Sequence, residues 1–251
     1  MMINRWFWWI KLSIFTFFCL GWIAEHHGDV IRAIVEAGHE VACHSHLHQL
    51  VYEQSPSEFA EDLHRSISAL EHATGQKIRA YRAPGFSIKP ECRWAFEKLV
   101  EAGIETDCSI FPASRAHGGF PDFGTGRPCL VDTPSGSLKE FPINTANVFG
   151  QRFVFSGGGY FRLIPYGWIK RLTAASSYTM TYFHPRDFDP DQPVLPSLGP
   201  VRRFKSYVGL RTAQTKLERW MDQQNFIDLA TATERVDWSK VDRLPMGTST
   251  R

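Results

Sequence analysis

The sequence predicts an α/β fold with a mainly parallel sheet and helices packed outside it. Three observations carry that expectation. Helical and strand-like patterns alternate from Ile14 to Thr106, glycines punctuate the helices, and polar clusters stand directly after the strand-like runs. A chain of 251 residues with 43% hydrophobic and 22% charged residues suits one ordinary globular domain and excludes disordered or collagen-like classes.

The elements follow in order. Ile14 to Leu20 is rich in β-branched and aromatic residues, stops at Gly21 and precedes a helical pattern, which reads as the strand of a βα unit. The wider stretch Trp6 to Ala24 has a second reading as a membrane anchor, although Lys11 interrupts it. From Asp29 the apolar residues Val30, Ile31, Ile34 and Val35 share a helix face that ends at Gly38, and Glu40 to Cys43 is the next strand. Ser55-Pro56-Ser57-Glu58 reads as a capping box with proline at the first helical position. Its helix carries the stripe Phe59, Leu63, Ile67 and Leu70, stops at Gly75, and gives way to a strand at Ile78 to Arg82. A third round starts at Pro90, turns Trp94, Leu99 and Val100 inward, caps at Gly103 and continues as the strand Ile104 to Thr106.

Beyond this point the pattern loosens. Phe111 to Lys139 is rich in Gly and Pro and reads as a long binding loop. Ser156 to Tyr160, with its triple glycine, is either a turn or a close approach to a ligand. Tyr178 to Phe183 has strand composition, Asp189 to Pro200 reads as extended surface chain, and a final helix turns Leu217, Trp220 and Met221 inward.

Charge and cysteine content narrow the partners. A net charge of +2 gives no broad field for a polyanion, so nucleic acid is not an expected partner. The five cysteines are widely spaced without any CxxC pair, which points to a reducing, cytoplasmic setting and to buried apolar thiols rather than a nucleophile.

The chemistry-bearing residues stand after the strands. His44 and His48 offer two imidazoles for one divalent metal if the segment turns helically, or else form a surface histidine cluster. His46 then points away from them. Arg82 is either an orienter of a carboxylate or a surface ion pair, with Pro84 fixing the backbone beside it. Asp107 either holds a ligand or His184 in place or caps a helix, and His184 is either a general acid or a structural histidine after its strand.

Taken in order, these residues resemble the polysaccharide deacetylases with the NodB homology domain, carbohydrate esterase family four. His44-Ser45-His46-Leu47-His48 is similar to that family's metal motif, Arg82-Ala83-Pro84 to its R-x-P motif, Asp107-Cys108-Ser109 to its short Asp motif, and Tyr182-Phe183-His184-Pro185 to its late histidine motif. Thr16-Phe17-Phe18, Ser109-Ile110-Phe111-Pro112 and Gly157-Gly158-Gly159-Tyr160-Phe161-Arg162 resemble the subgroup found at exopolysaccharide export loci.

The resemblance implies a distorted (β/α)7-type barrel. It further implies removal of N-acetyl groups from a polysaccharide at zinc or another divalent metal, with His44 and His48 as ligands. Arg82, Asp107 and His184 would serve catalysis, and Pro84, Tyr160 and Arg162 would bind substrate. The implied division is an atypical segment 1–13, a deacetylase-like domain 14–230 with a subgroup extension from 185, and a tail 231–251.

The family's first motif, T-F-D-[DV]-[DEG], which carries the base and the third ligand, has no counterpart here. The expectation is therefore a barrel lacking its first strand, a weakly held metal and little activity. Two other classes stay open: a glycan-binding module without turnover, and an accessory protein tethered to a membrane through residues 6–24.

Overall fold

The computed structural model describes residues 13–113, 118–148 and 151–246, and the chain forms two compact units, Met1–Pro142 with Phe226–Arg251 and Ile143–Asn225. Residues 1–12, which are all but the last of the segment read as atypical and the first 7 of the 19 residues in the anchor reading, lie outside the described residues. Within them no helix is long and apolar enough to cross a membrane.

The first unit begins with β1 (Thr16–Cys19), followed by α1 (Gly21–His26) and α2 (Gly28–Glu36), so the end of the apolar stretch is a strand and a short helix. Next come β2 (Glu40–Cys43) and α3 (Pro56–Thr74). The capping box at α3 forms as the sequence predicts: the Ser55 hydroxyl accepts from the Glu58 amide at 3.3 Å, and the Glu58 carboxylate accepts from the Ser55 amide at 2.7 Å. Gly75 ends the helix in the left-handed conformation, φ 67°. β3 (Ala80–Tyr81), α4 (Trp94–Glu101) and β4 (Thr106–Asp107) complete the alternating stretch.

Phe111 to Lys139, read from its composition as a long binding loop, is partly regular structure. It contains most of a hairpin, β5 (Cys129–Thr133) and β6 (Gly136–Glu140), paired from Cys129 opposite Glu140 to Thr133 opposite Gly136. Pro134 and Ser135 make the connection between two strands of mixed polarity, of which Cys129 to Val131, Leu138 and Glu140 are buried.

The second unit holds the hairpin β7 (Ala146–Val148) and β8 (Gln151–Phe153), then α5 (Gly158–Leu163), α6 (Tyr166–Ala174), α7 (Pro200–Tyr207) and α8 (Leu210–Gln223). Its centre is Trp220, fully buried and stacked on Phe161 with ring centroids 5.5 Å apart. The strand expected at Tyr178 to Phe183 is reduced to a single parallel bridge between Tyr182 and Gly157. The triple glycine has its explanation there, since a Cβ on Gly157 would meet the Tyr182 carbonyl oxygen at 2.2 Å. Two chain segments, rather than a ligand and the chain, require the glycine.

The chain returns to the first unit as α9 (Leu229–Arg235) and β9 (Asp242–Pro245). The Glu40 carboxylate accepts from the first amides of α9, Leu229 and Ala230, both at 3.1 Å, which pins the returning helix to β2. The stretch read as a tail thus supplies an element of the sheet. That sheet has seven strands in the order β1-β2-β3-β4-β6-β5-β9, parallel throughout except for the β5–β6 hairpin, as the α/β expectation requires. β1 and β9 are its two ends. The core beneath it packs Phe59, Leu63, Tyr81, Phe96, Phe120 and Phe123, all essentially inaccessible to water.

Candidate active site

Register decides which side chains meet. Cys43 stands opposite Tyr81, Tyr81 opposite Asp107, and Asp107 opposite Glu140, so one row crosses the carboxyl ends of β2, β3, β4 and β6. His44 and Arg82 are the residues immediately beyond the first pair. This is where parallel sheets place their chemistry.

The segment after β2 does not turn helically. Ser45 and His48 both take left-handed backbone angles, φ 68° and 60°, and the Ser45 hydroxyl accepts from the His48 amide at 2.9 Å. This bent loop still brings the two imidazoles together, with ring centroids 5.1 Å apart and planes nearly perpendicular. His44 Nδ1 lies 2.6 Å from the Arg82 carbonyl oxygen. A proton on Nδ1 donates to that carbonyl and leaves the Nε2 lone pair for a metal. His46 turns the other way: it is buried, with Nε2 3.7 Å from the Glu25 carboxylate on α1.

Two imidazoles with one ring so oriented fit half of a zinc or similar site. Among the described residues no group of three or more His, Cys, Asp or Glu side chains is placed to hold an ion.

Arg82 is nearly buried rather than a surface ion pair. Its guanidinium lies 4.2 Å from the centre of the Phe18 ring, and Nε donates to the Cys108 carbonyl at 3.2 Å. Pro84 is buried and opens a short turn through Phe86.

Asp107 caps no helix. It is fully buried, its Oδ1 accepts from the Ser109 hydroxyl at 2.5 Å, and that hydroxyl accepts from the Ala83 amide at 2.7 Å. Its neighbour Glu140, also fully buried, accepts from the Ile110 amide at 3.2 Å. Burial raises both carboxyl groups; the Asp107 charge and hydrogen bond raise Glu140 further, well above the usual carboxylate range, whereas the hydrogen bonds from Glu140 and Ser109 pull Asp107 back down. Asp107 Oδ2 and Glu140 Oε2 lack any N–H or ordinary O–H donor. A single proton held by Glu140 and donated to Asp107 satisfies both. Glu140 escaped the sequence reading because it ends an unrecognised hairpin.

In the second unit the His184 side chain is 58% exposed, and its Nδ1 lies 3.6 Å from the buried Asp187 carboxylate. Asp187 also accepts from the His184 amide at 2.9 Å and pairs with Arg162 at 3.0 Å. Desolvation opposes the Asp187 charge, yet these hydrogen bonds and the Arg162 guanidinium bring its carboxyl below the usual range. His184 stands beyond the Tyr182 bridge rather than at the end of a regular strand. Arg162, expected to bind substrate, is buried and committed: it donates to the Lys205, Ser206 and Val208 carbonyls at 2.9 to 3.0 Å. Tyr160 is 44% exposed and stands edge-on to Phe153.

The thiols are passive. None forms a disulfide, and burial pushes Cys19 and Cys43 up to about 12.

Comparison with known proteins bears on this arrangement. Residues 14–101 match the family model for polysaccharide deacetylase, and residues 108–234, just over half of the chain, match DUF3473, a domain of unknown function. No curated protein matches. Among solved structures, a protein described as a candidate polysaccharide deacetylase from Mycobacterium smegmatis is similar with TM-score 0.65 and 19% identity, over 99% of this chain and 80% of that one. The 4-alpha-glucanotransferase of Thermococcus litoralis is similar with TM-score 0.60 and 14% identity, over 96% of this chain and 36% of that one. At these identities the likeness is one of fold.

Proposed function

The chain belongs to the DUF3473 family, and because residues 14–101 match the polysaccharide deacetylase model we propose that it acts on an N-acetylated polysaccharide or its precursor in exopolysaccharide synthesis. The reaction is hydrolysis of the acetamide: the C–N bond breaks, water supplies hydroxyl to the acyl carbon, acetate leaves and the amine takes a proton. The observation that carries this reading is the His44–His48 pair in the loop at the carboxyl end of β2, with His44 oriented by the carbonyl of Arg82, which follows the adjacent parallel β3.

His44 and His48 would hold zinc or another divalent metal, which supplies Lewis acidity toward the acyl oxygen and the water. The protein's own residues do the rest. Asp107, steadied by the Glu140 proton and the Ser109 hydroxyl, fixes Ala83 and so the register of Arg82 and Pro84 beside the histidines. Tyr160 presents an exposed ring of the kind that stacks on sugar faces. His184, as imidazolium with the Asp187 carboxylate 3.6 Å from Nδ1, would be the acid that gives a proton to the leaving amine. The five thiols without a disulfide support a reducing, cytoplasmic setting.

With two donors in place and no carboxylate ligand among the described residues, the metal is weakly held and turnover is low. The test is acetate release from an acetylated glucosamine oligomer with added zinc. Slow release abolished by chelator supports the reading. Vigorous release contradicts the weak site, and saccharide binding indifferent to chelator, without acetate, would establish a binding module instead.

A further inference from the structure

α7 is a helix whose apolar face the protein leaves uncovered. None of its residues is buried, Val201 is 69% and Phe204 58% exposed, and the two lie three residues apart on one face. The helix is held from below through polar groups instead. Arg162 binds the carbonyls at its end, and the Tyr207 hydroxyl donates to the Pro193 carbonyl and accepts from the Leu195 amide. That tie brings Val194 and Leu195, both about half exposed, into the same region of the second unit.

Charge says what covers this face. Arg202, Arg203 and Lys205 on α7, and Arg211 at the start of α8, are exposed, and none forms an ion pair among the described residues. From Gln192 to Leu217 the sequence has no Asp or Glu, in a chain whose net charge is only +2. Exposed aliphatic and aromatic side chains flanked by unopposed cations suit the boundary between headgroups and acyl chains. A second copy of the chain would set this cationic face against itself in a two-fold contact, which like charges oppose.

We infer that α7 with the Val194–Leu195 segment docks the second unit on an anionic phospholipid bilayer. The inference is independent of the deacetylase reading and of the apolar stretch before Ala24.

The full chain is mixed with phosphatidylcholine vesicles with and without phosphatidylglycerol, and bound protein is measured by flotation. The expected result is binding to the anionic vesicles that weakens at least about tenfold on neutral vesicles or in high salt. The double variants Val201→Ser with Phe204→Ser, and Arg202→Gln with Arg203→Gln, each weaken binding at least about fivefold. These side chains are exposed, so the variants keep the parental circular dichroism and melting temperature. Absence of vesicle binding overturns the inference, as does parental affinity in both folded variants, which is what binding through the amino-terminal stretch would give. Capture of a soluble anionic polysaccharide in preference to vesicles, or dimerisation abolished by the variants without vesicle binding, overturns it as well.

Discussion

Replacing Glu140 by glutamine alters one proton and little else, which makes it a direct probe of the buried carboxyl pair. Glu140 and Asp107 are both inaccessible to water and face each other across β4 and β6. The folded pKa of Glu140 is raised well above its usual value. Below the unfolded pKa of about 4.3, both states hold the proton, and the stability gained from it is fully present. As pH rises the unfolded chain releases that proton while the folded chain keeps it, so stability falls by about 1.4 kcal/mol per pH unit until the folded pKa is reached.

Glutamine still donates an N–H to Asp107 but does not titrate. As pH rises above about 5 the parent protein should therefore lose stability progressively relative to Glu140→Gln, for as long as the folded chain keeps the proton. Urea unfolding at steps of pH measures the difference directly. Parallel stability profiles for the two proteins would refute the shared proton. Glu140→Ala leaves Asp107 as a buried charge without its donor and should cost about 3–5 kcal/mol near neutrality.

Two further substitutions test the scaffold of the second unit. Arg162→Met removes three carbonyl hydrogen bonds and the partner of Asp187, so it should destabilise this unit by about 3–5 kcal/mol and lower hydrogen-exchange protection in α7; protection equal to the parent's would show that Arg162 is dispensable. Gly157→Ala drives a methyl group into the Tyr182 carbonyl and should cost about 1–3 kcal/mol through overpacking, read as a drop in urea midpoint.

The first unit was legible where local chemistry and tertiary packing agree. The Ser55–Glu58 capping box, the left-handed Gly75 and the apolar stripe from Phe59 to Leu70 specify α3 within one stretch of chain, and β1 and β2 are short apolar runs between such helices. The β5–β6 hairpin was missed because its strands alternate weakly: Ser137 and Lys139 surround a single core residue, Leu138, and the partner that defines β6 is the distant β4. With it went Glu140, whose significance exists only through the register that sets it opposite Asp107. Tyr178 to Phe183 had strand composition, yet among the described residues its ladder is one bridge, Tyr182 with Gly157, since composition reports side-chain fit rather than strand pairing.

At the site, the sequence paired His44 with His48 through helical spacing, whereas a bent loop with two left-handed residues achieves the same juxtaposition. Arg162 was expected to bind substrate from the family resemblance alone. Burial and three carbonyl partners, invisible in sequence, give it structural work instead.

The account rests most heavily on the two imidazoles beyond β2, and zinc binding tests them directly. Equilibrium dialysis of the purified chain should find zinc held weakly, and His48→Ala should weaken that binding by at least about tenfold while the melting temperature of the metal-free protein stays near the parent's, because His48 is exposed. Zinc affinity unchanged by loss of His48 would contradict the assignment of the metal to this pair.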